Sequence, residues 1–233
     1  MELSKRLQAV AGLVGCHDVV ADVGTDHGYI PIYLLKQGKC KRAFAMDVNN
    51  GPLLRAKEHL EAYGLQNQVE LRLSDGVAKL SMGECDCVVI AGMGGGLTIK
   101  ILEEGKDIFQ SLKEFVLQPQ SEIMKVRQYL CDMEYHIVKE DMVYEEGKFY
   151  PMMKVIKGEV SPYYECELKY GKLLLEQKHP VLKNFLDKEF RKKKMILENL
   201  DKQQGSHIEE RKKEIQKELE GIEYALQRYY EDN

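Results

Sequence analysis

The chain has 233 residues, of which 44% are hydrophobic and 31% charged, enough to bury a substantial core in one large domain or a domain with an appendage. The 34 Lys and Arg residues against 38 Asp and Glu leave a net charge of −4, which excludes a wholly basic surface but not a local basic patch. No run approaches the roughly 18 apolar residues of a membrane span. The amino terminus also lacks the apolar run of a signal peptide, so we expect a cytoplasmic protein that does not associate with membranes.

Residues 1–158 alternate short apolar runs with amphipathic segments. The strand-like runs are VVADV (19–23), AFAMDV (43–48), VELRLS (69–74), CVVIAG (87–92) and FVLQP (115–119). Segments with helical periodicity lie between them, including Pro52–Tyr63 and Leu97–Leu112. Apolar strands that alternate with helices predict a doubly wound α/β fold, with a mostly parallel sheet covered on both faces.

Two further strand candidates, Tyr135–Tyr144 and Phe149–Lys157, are joined by the four residues Glu145-Glu146-Gly147-Lys148. A short link that contains glycine predicts an antiparallel hairpin. A parallel sheet that ends in an antiparallel hairpin resembles the Rossmann-like fold of class I methyltransferases and disfavours a simple dinucleotide-binding domain.

Residues 159–233 are helical in composition, and we expect them to form a small all-α domain. Ser161-Pro162 is expected to open one helix and Pro180 to lie near the start of the next. Ser206 and Glu209 form a capping-box pattern for a third helix, after a turn at Gln203-Gln204-Gly205. A coiled-coil-like seam follows at Ile208, Ile215, Leu219, Ile222, Leu226 and Tyr229, and the preceding helix offers Leu182, Leu186, Phe190, Leu197 and Leu200, a stripe interrupted by Lys193. These patterns predict an antiparallel helical hairpin.

The six cysteines show no spacing typical of a metal site or a redox motif. They are Cys16, Cys40, Cys85, Cys87, Cys131 and Cys166. We expect reduced structural thiols, and neither the cysteines nor the histidines require a metal.

Glycines and carboxylates follow four successive strands at the points where each strand ends. Gly24 and Gly28 lie in the turn after the first strand, Asp47 ends the second, Asp75 follows the third, and the glycine-rich run 92–96 follows the fourth. The carboxyl ends of parallel strands meet at one edge, where doubly wound sheets bind their ligands. Each feature alone is also compatible with a structural turn or a helix cap. Together they predict a ligand site.

The sign of the charge in the first turn discriminates between two nucleotide cofactors. A nicotinamide dinucleotide needs a pyrophosphate cradle, but the turn carries Asp26 and has no G-x-G-x-x-G pattern. S-adenosylmethionine carries a sulfonium and an amino group, both of which a carboxylate attracts. The residues therefore favour S-adenosylmethionine.

The motifs DVGTDHGYIPIYL, AMDVNNGPL, SDGV, AGMGGGLT, LQPQ and GKFYPMM, together with the amino-terminal LSKRL, resemble the bacterial TrmK family over the whole chain. The resemblance implies a methyltransferase that modifies N1 of adenine 22 in the D-arm of tRNA. The residue arguments above reach only the cofactor; substrate and position come from the resemblance.

These considerations predict a set of cofactor-binding and catalytic residues. The cofactor set is Asp22, Gly24, Thr25, His27, Gly28, Asp47, Val48, Asp75, Gly76, Gly92 and Met93. We expect Asp47 to hold the ribose, and Asp75 with Gly76 to hold the cofactor adenine. Asp26, His27 and Tyr29 are the catalytic candidates, as partners of the substrate N6 amine, stabilisers of the cationic product or a stacking platform, although they could instead only orient the loop.

A substrate tRNA needs positive charge for its phosphates. Residues 169–194 carry nine basic and three acidic residues, a local charge of +6 within an acidic chain. The predicted tRNA contacts are Arg191, Lys192 and Lys194 in this run, Lys5 and Arg6 near the amino terminus, and Met93 and Gly94 beside the target base. Part of the basic run is alternatively a solvated helix face paired with the acidic last helix.

Two other functions remain open at this level. A small-molecule or other RNA methyltransferase would use the helical domain as a lid. A non-catalytic RNA-binding module is suggested by the absence of the Asn/Asp-Pro-Pro-aromatic motif of many amino-methyltransferases, although such a module would not need the strand-end carboxylates. We expect a monomer.

Overall fold

The computed structural model describes residues 3–202 and 205–231. The chain divides into two compact units, Met1–Pro162 and Tyr163–Asn233, a boundary four residues beyond the predicted one at 158/159. Across the described ranges, no helix is both long enough and apolar enough to cross a membrane.

The first unit contains a seven-stranded sheet. Its strands are β1 (Val19–Val23), β2 (Arg42–Asp47), β3 (Val69–Leu73), β4 (Cys87–Ala91), β5 (Glu114–Gln118), β6 (Tyr135–Glu145) and β7 (Lys148–Lys157). They lie in the order β3-β2-β1-β4-β5-β7-β6, and all pairs are parallel except β5–β7 and β6–β7. The predicted fold class is confirmed. The chain order reverses between β1 and β4, the position where doubly wound sheets bind ligands.

Between residues 3 and 162, six helices accompany the sheet. They are α1 (Lys5–Leu13), α2 (Tyr29–Lys36), α3 (Asn50–Tyr63), α4 (Gly95–Glu104), α5 (Lys106–Ser111) and α6 (Ile123–Asp132). The central strands β4 and β5 are buried along almost their whole length, whereas the edge strand β3 has exposed positions. Strands that are covered on both faces need continuous apolar runs, which is why their sequences show no alternation.

The single helix predicted over Leu97–Leu112 is wrong. The structure has two helices there, α4 and α5, which meet at Gly105. A Cβ at Gly105 would lie 2.2 Å from Cγ2 of Val77, so close packing against the loop after β3 keeps this position a glycine. Helical periodicity continues through the break and does not reveal it.

The turn of the β6–β7 hairpin is shorter than predicted. Glu145 and Lys148 pair within the strands, and the turn contains only Glu146 and Gly147. Both have positive φ, 49° and 80°, as a tight two-residue hairpin turn requires.

The second unit contains α7 (Glu165–Tyr170), α8 (Lys172–Glu176), α9 (Pro180–Leu200) and α10 (Ser206–Tyr230). The predicted helix start at Ser161-Pro162 is wrong, because α7 begins at Glu165, where Glu167 accepts a hydrogen bond from the backbone N–H of Tyr164 at 2.7 Å. Pro180 is confirmed at the start of α9. Helix α10 has Gly205 at its N-cap, one residue before the predicted Ser206, and the predicted turn residues 203–204 lie outside the described ranges.

Helices α9 and α10 pack against each other along the predicted seam. Ile208, Ile215, Leu219 and Ile222 of α10 are buried, as are Leu182 and Leu186 of α9. Lys193, which interrupts the apolar stripe of α9, forms an ion pair with Glu218 of α10. Lys212 reaches Asp201 at 3.2 Å, so the ion pairs run in the order of an antiparallel hairpin.

One buried ion pair joins α6 to the hairpin of the first unit. Arg127 donates to Glu140 at 2.8 and 2.9 Å, and both side chains are 1% exposed. Removing one member of a buried ion pair leaves the other charge buried without that ion pair, which typically costs about 3–5 kcal/mol, whereas two apolar replacements are often tolerated.

We expect Glu140→Leu to lower the free energy of unfolding by about 3 kcal/mol or more, because Arg127 stays buried and loses its ion pair with Glu140. Arg127→Leu/Glu140→Leu should recover much of this loss. Urea unfolding of the two variants measures both values. A Glu140→Leu variant as stable as the wild type would show that the pair does not hold α6 on the sheet.

Candidate active site

The carboxyl ends of β1, β2, β3 and β4 meet at one edge of the sheet, and backbone hydrogen bonds tie the loops that follow them. The N–H groups of Gly24 and Thr25 donate to the carbonyl of Met46 at 2.8 and 2.9 Å. The Ser74 N–H donates to Asp47 O at 2.9 Å. The parallel register therefore brings together the strand-end residues that the sequence singled out.

A cavity of about 240 Å³ opens at this edge beside the turn after β1. Its lining includes Arg6, Asp22, Gly24, Asp26, Tyr29 and Ala91. Most of these residues were predicted site residues, but Arg6 was assigned to tRNA phosphate. Its half-buried guanidinium instead donates to Gln118 Oε1 at 2.9 Å.

The carboxylate of Glu145 fixes the start of α1 against the hairpin. It accepts hydrogen bonds from the backbone N–H groups of Lys5 at 2.7 Å and Arg6 at 3.2 Å. Lys5 is exposed, whereas the Arg6 side chain turns to the cavity. Neighbouring residues of the LSKRL segment therefore face different environments.

Asp22 is the buried carboxyl group of the site. It is 5% exposed at the end of β1, and burial, together with the nearby Asp47 carboxylate, raises its pKa to about 7. Such a group ionises more readily once a cation lies beside it. Perturbed carboxyl groups in clefts are typical of functional sites.

The backbone conformation favours glycine at position 24. Its φ of +76° lies in the left-handed region, and a Cβ would come within 2.2 Å of Cε of Met93, the far end of a flexible side chain that would have to shift. Met93 therefore packs directly over the turn after β1, as the glycine-rich run after β4 allows. The next residues, Gly94 and Gly95, form the N-cap and first turn of α4.

The loop after Gly24 carries a stack of three rings. The rings of His27 and Tyr29 lie 5.1 Å apart and nearly parallel, and His59 of α3 stacks on both at 5.1 and 5.2 Å. His59 Nδ1 lies 3.0 Å from the carbonyl oxygen of His27, whose φ of +61° is unusual for a residue other than glycine.

Asp26 is exposed but not isolated. Arg55 of α3 donates to its Oδ1 at 2.8 and 3.3 Å, and His27 Nε2 lies 3.5 Å from the same oxygen. Sequence reasoning missed Arg55 and His59. Their spacing of four residues on α3 places them on one helix face, which is the only signal the sequence offers.

The remaining cofactor candidates surround the ends of β2 and β3. Asp47 Oδ1 accepts a hydrogen bond from Asn49 N–H at 2.7 Å, and Val48 is 60% exposed. Asp75 is exposed, and Gly76 adopts a φ of +52°. The carboxylates therefore border open space, with side-chain oxygen atoms left for a ligand.

The predicted tRNA-contacting residues of α9 lie on an exposed surface of the second unit. Arg191, Lys192 and Lys194 are exposed, and Lys192 approaches Glu189 at 4.0 Å along its own helix. Within the basic run, Lys193 has the structural role, since it pairs with Glu218 of α10.

A candidate metal cluster lies at the opposite end of the sheet. Within the described ranges, donor atoms of His17, Cys87 and Glu114 lie within 4.8 Å of one another. Lys154 Nζ and the Gly15 N–H also bind the Glu114 carboxylate, at 2.8 and 2.6 Å, and burial raises the pKa of the Cys87 thiol. Because the Glu114 carboxylate is already paired with an ammonium group, we interpret the cluster as structural.

Comparisons with known proteins agree on one family. The family model of TrmK, tRNA (adenine(22)-N(1))-methyltransferase, matches residues 20–224. The Bacillus subtilis tRNA (adenine(22)-N(1))-methyltransferase is 33% identical over 94% of this chain and 93% of its own. The crystal structure of the B. subtilis enzyme has 30% identity and a TM-score of 0.84 over 97% of this chain and 99% of that chain. The Mycoplasma capricolum TrmK structure with S-adenosyl-homocysteine has 29% identity and a TM-score of 0.82 over 97% and 98%.

We expect the Asp22→Asn variant to be more stable than the wild type at pH 8, by up to about 4 kcal/mol. The folded state holds the Asp22 proton to a pKa of about 7, against an ordinary value of 3.8, so wild-type stability falls as the pH rises from about 4 to about 7. At pH 4 the two proteins should differ little.

Urea unfolding at pH 4, 6 and 8 measures this difference, with the exposed Asp75→Asn as a matched control for removal of one carboxylate from the same edge. If the wild type gained stability relative to Asp22→Asn between pH 4 and pH 8, the result would contradict a raised pKa of Asp22 in the folded state.

Proposed function

The chain belongs to the TrmK family, and from this premise we propose that the cavity beside Asp22 is where the enzyme holds its cofactor against adenine 22 of tRNA. The protein is a tRNA (adenine(22)-N(1))-methyltransferase that uses S-adenosylmethionine. Which residues perform the reaction is the subject of the proposal.

One observation carries the proposal: an acidic and a basic side chain line the same 240 Å³ cavity. A buried carboxyl group, Asp22, and a guanidinium group, Arg6, line the same cavity. The methionine part of the cofactor ends in an ammonium group and a carboxylate. We assign the ammonium group to Asp22 and the carboxylate to Arg6, and so move Arg6 from the tRNA contacts to the cofactor set.

The other strand ends complete the cofactor site. The backbone of Gly24, Thr25 and Gly28 shapes the wall on the methionine side. Asp47 keeps a carboxylate oxygen for the ribose hydroxyls, and the exposed Val48 offers an apolar surface to the cofactor adenine. Asp75 and Gly76 follow β3, where a carboxylate and a backbone N–H can bind the edge of that ring, while Gly92 leaves room beside Arg6, whose Nη1 would lie 3.5 Å from a Cβ at this position.

The reaction asks little of a base, because N1 of adenine has a free lone pair. The cofactor supplies an electrophilic methyl group. The protein must orient N1 and stabilise the positive charge that develops on the adenine ring. Asp26 accepts a hydrogen bond from the N6 amine, and its negative charge stabilises the cationic product. Tyr29, at one side of the ring stack with His27, provides the face on which the base lies, and Met93 and Gly94 border it from the glycine-rich turn.

Arg55 and His59 act through this loop. Arg55 holds the Asp26 carboxylate at 2.8 Å, and His59 contacts the His27 carbonyl. Both are positioning residues, since they lie on α3 behind the groups that meet the substrate.

The tRNA backbone is held by exposed cations. Arg191, Lys192 and Lys194 of α9 and Lys5 at the start of α1 are exposed and suited to phosphate contacts. Because adenine 22 lies in a folded arm, its N1 has to be exposed by unpairing or extrusion before the base reaches the site.

We also propose that the enzyme acts in the cytoplasm as a monomer and without a metal. Within residues 3–202, which include all six cysteines, none is assigned to a disulfide bond, as is usual in a reducing compartment. The substitution reaction itself needs no Lewis acid when the methyl donor is a sulfonium, because the leaving group is a neutral thioether.

We expect Arg6→Leu to weaken S-adenosylmethionine binding about ten- to a hundred-fold, because the cofactor carboxylate loses a charge-assisted hydrogen bond. The neighbouring Lys5→Leu serves as the matched control and should leave cofactor affinity unchanged. Isothermal titration without tRNA measures both constants. If Arg6→Leu binds the cofactor as tightly as the wild type, Arg6 does not hold the carboxylate.

We expect Asp26→Asn to bind S-adenosylmethionine normally but to slow single-turnover methyl transfer about tenfold or more, because the cationic product loses a stabilising charge. The assay follows labelled methyl transfer to unmodified tRNA and identifies 1-methyladenosine by nucleoside analysis. A tRNA with guanine at position 22 is the substrate control and should accept no label. A wild-type rate for Asp26→Asn would remove Asp26 from the mechanism, and label in the control tRNA would overturn the position of methylation.

A further inference from the structure

The helical unit contains a cavity of its own, which the proposed mechanism does not use. It lies between α7 and α10 and has a volume of about 500 Å³. Tyr164, Tyr170 and Tyr224 contribute three aromatic side chains to its lining, and Lys169 and Lys217 contribute two cations. Gly221 of α10 leaves space there, because no atom lies within 4 Å of where its Cβ would be.

Two of the three tyrosines are unusually open to solvent. Tyr164 is 54% exposed and Tyr224 is 44% exposed. The guanidinium group of Arg228 lies 4.5 Å from the centre of the Tyr164 ring and 5.8 Å from that of Tyr224. Exposed aromatic rings beside an arginine form the kind of surface on which nucleic-acid bases stack.

The third tyrosine presents a polar group without a partner. Tyr170 is 6% exposed, and no hydrogen bond to its hydroxyl oxygen exists among residues 3–202 and 205–231. A buried polar group without a partner is costly in a folded protein. Its hydroxyl oxygen has essentially no solvent-accessible surface, so a ligand in the cavity reaches it only after neighbouring side chains shift.

The charges of the lining suit a base with amino groups better than they suit a phosphate alone. Lys169, Lys217 and the adjacent Arg228 supply positive charge, whereas Glu165, Glu218 and Glu220 supply carboxylates. Glu218 is already paired with Lys193, which lowers its pKa. Carboxylates accept hydrogen bonds from exocyclic amines, and lysines at the rim can meet the flanking phosphates.

We propose that this cavity, which we call the tyrosine pocket (Tyr164, Tyr170, Tyr224), binds one unpaired nucleobase of the tRNA substrate, a base other than adenine 22. The base packs against the rings of both Tyr164 and Tyr224 and, once neighbouring side chains shift, accepts a hydrogen bond from the Tyr170 hydroxyl. This inference rests on the proposed function only in taking tRNA as the substrate. The pocket gives the enzyme a contact that depends on unpaired bases, in addition to the sequence-independent phosphate contacts of α9.

The first experiment measures tRNA affinity against salt concentration. We expect Tyr164→Leu and Tyr224→Leu each to weaken binding of unmodified tRNA about tenfold, as loss of a base–aromatic stack does. The slope of log K against log salt should not change, because no phosphate contact is lost. Tyr63→Leu, which removes an exposed tyrosine from α3 of the first unit, is the matched control and should bind normally.

Tyr170→Phe tests the buried hydroxyl without changing the ring. We expect a threefold or greater loss of tRNA affinity and a thermal midpoint no lower than that of the wild type, because the hydroxyl has no partner in the free protein. For all pocket variants, S-adenosylmethionine affinity and the single-turnover rate at saturating tRNA should stay at wild-type values. These two readouts separate a failure of the pocket from a failure of the methyltransferase site.

The second experiment identifies the base. A set of tRNA transcripts is made, each with one abasic site at a different unpaired position. The affinities of the wild type and of Tyr224→Leu are measured for each transcript. An abasic site at one of these positions should weaken binding by the wild type about tenfold. The same abasic transcript should bind to Tyr224→Leu no more weakly than intact tRNA does. Wild-type affinity in both leucine variants would overturn the proposal. A loss of tRNA affinity with a shallower salt slope would also overturn it, as would the lack of any abasic position whose effect on wild-type binding disappears in Tyr224→Leu. The last two results would assign the surface to phosphate contact or to shape alone.

Discussion

The parallel pairing of β1 with both β2 and β4 is the constraint on which the rest of the molecule depends. It places Asp22 opposite Ala45 on one side and Val89 on the other, inside a sheet covered on both faces. A carboxyl group there is desolvated, and its raised pKa is the cost of that position. The same pairing makes the loops after β1, β2 and β4 neighbours, so the residues that must act together need not be close in sequence.

The turn after β1 positions the proposed catalytic residues Asp26 and Tyr29. Left-handed conformations at Gly24, His27 and Gly28 bring the chain sharply from the sheet into α2. A histidine in that conformation is held by its surroundings, here the ring stack and the contact between His59 and its carbonyl group. The loop therefore presents Asp26 and Tyr29 from a braced backbone rather than from a mobile one.

Most of the fold could be predicted from the sequence, because apolar runs, helical periodicity and turn residues are local signals. The strands agree with the predicted runs to within a residue or two. The errors concern helix ends: helical periodicity does not reveal the break at Gly105, and α7 starts at Glu165, where Glu167 accepts a hydrogen bond from the Tyr164 N–H. Strand-end carboxylates could be selected because topology alone brings them together. Arg55 and His59 could not, because only the packing of α3 shows which loop they face.

Arg6 is another residue whose surroundings could not be predicted from the sequence. Its charge and its place beside Lys5 suggested phosphate, yet α1 lies against the hairpin through Glu145, and this contact leaves one of the two cations exposed and turns the other to the cavity. A total charge of −4 says nothing of either arrangement. Sequence gives the kinds of groups available, and packing decides which ligand each can reach.

The central claim is that a buried carboxyl group and a guanidinium group at the end of β1 hold the two charged ends of the cofactor's amino acid. A crystal structure of this protein with S-adenosylhomocysteine tests it most directly. The account predicts the ligand ammonium group within hydrogen-bond distance of Asp22, its carboxylate on Arg6, and its ribose on Asp47. A ligand bound at this edge with its carboxylate away from Arg6, or its amino group away from Asp22, would contradict the account.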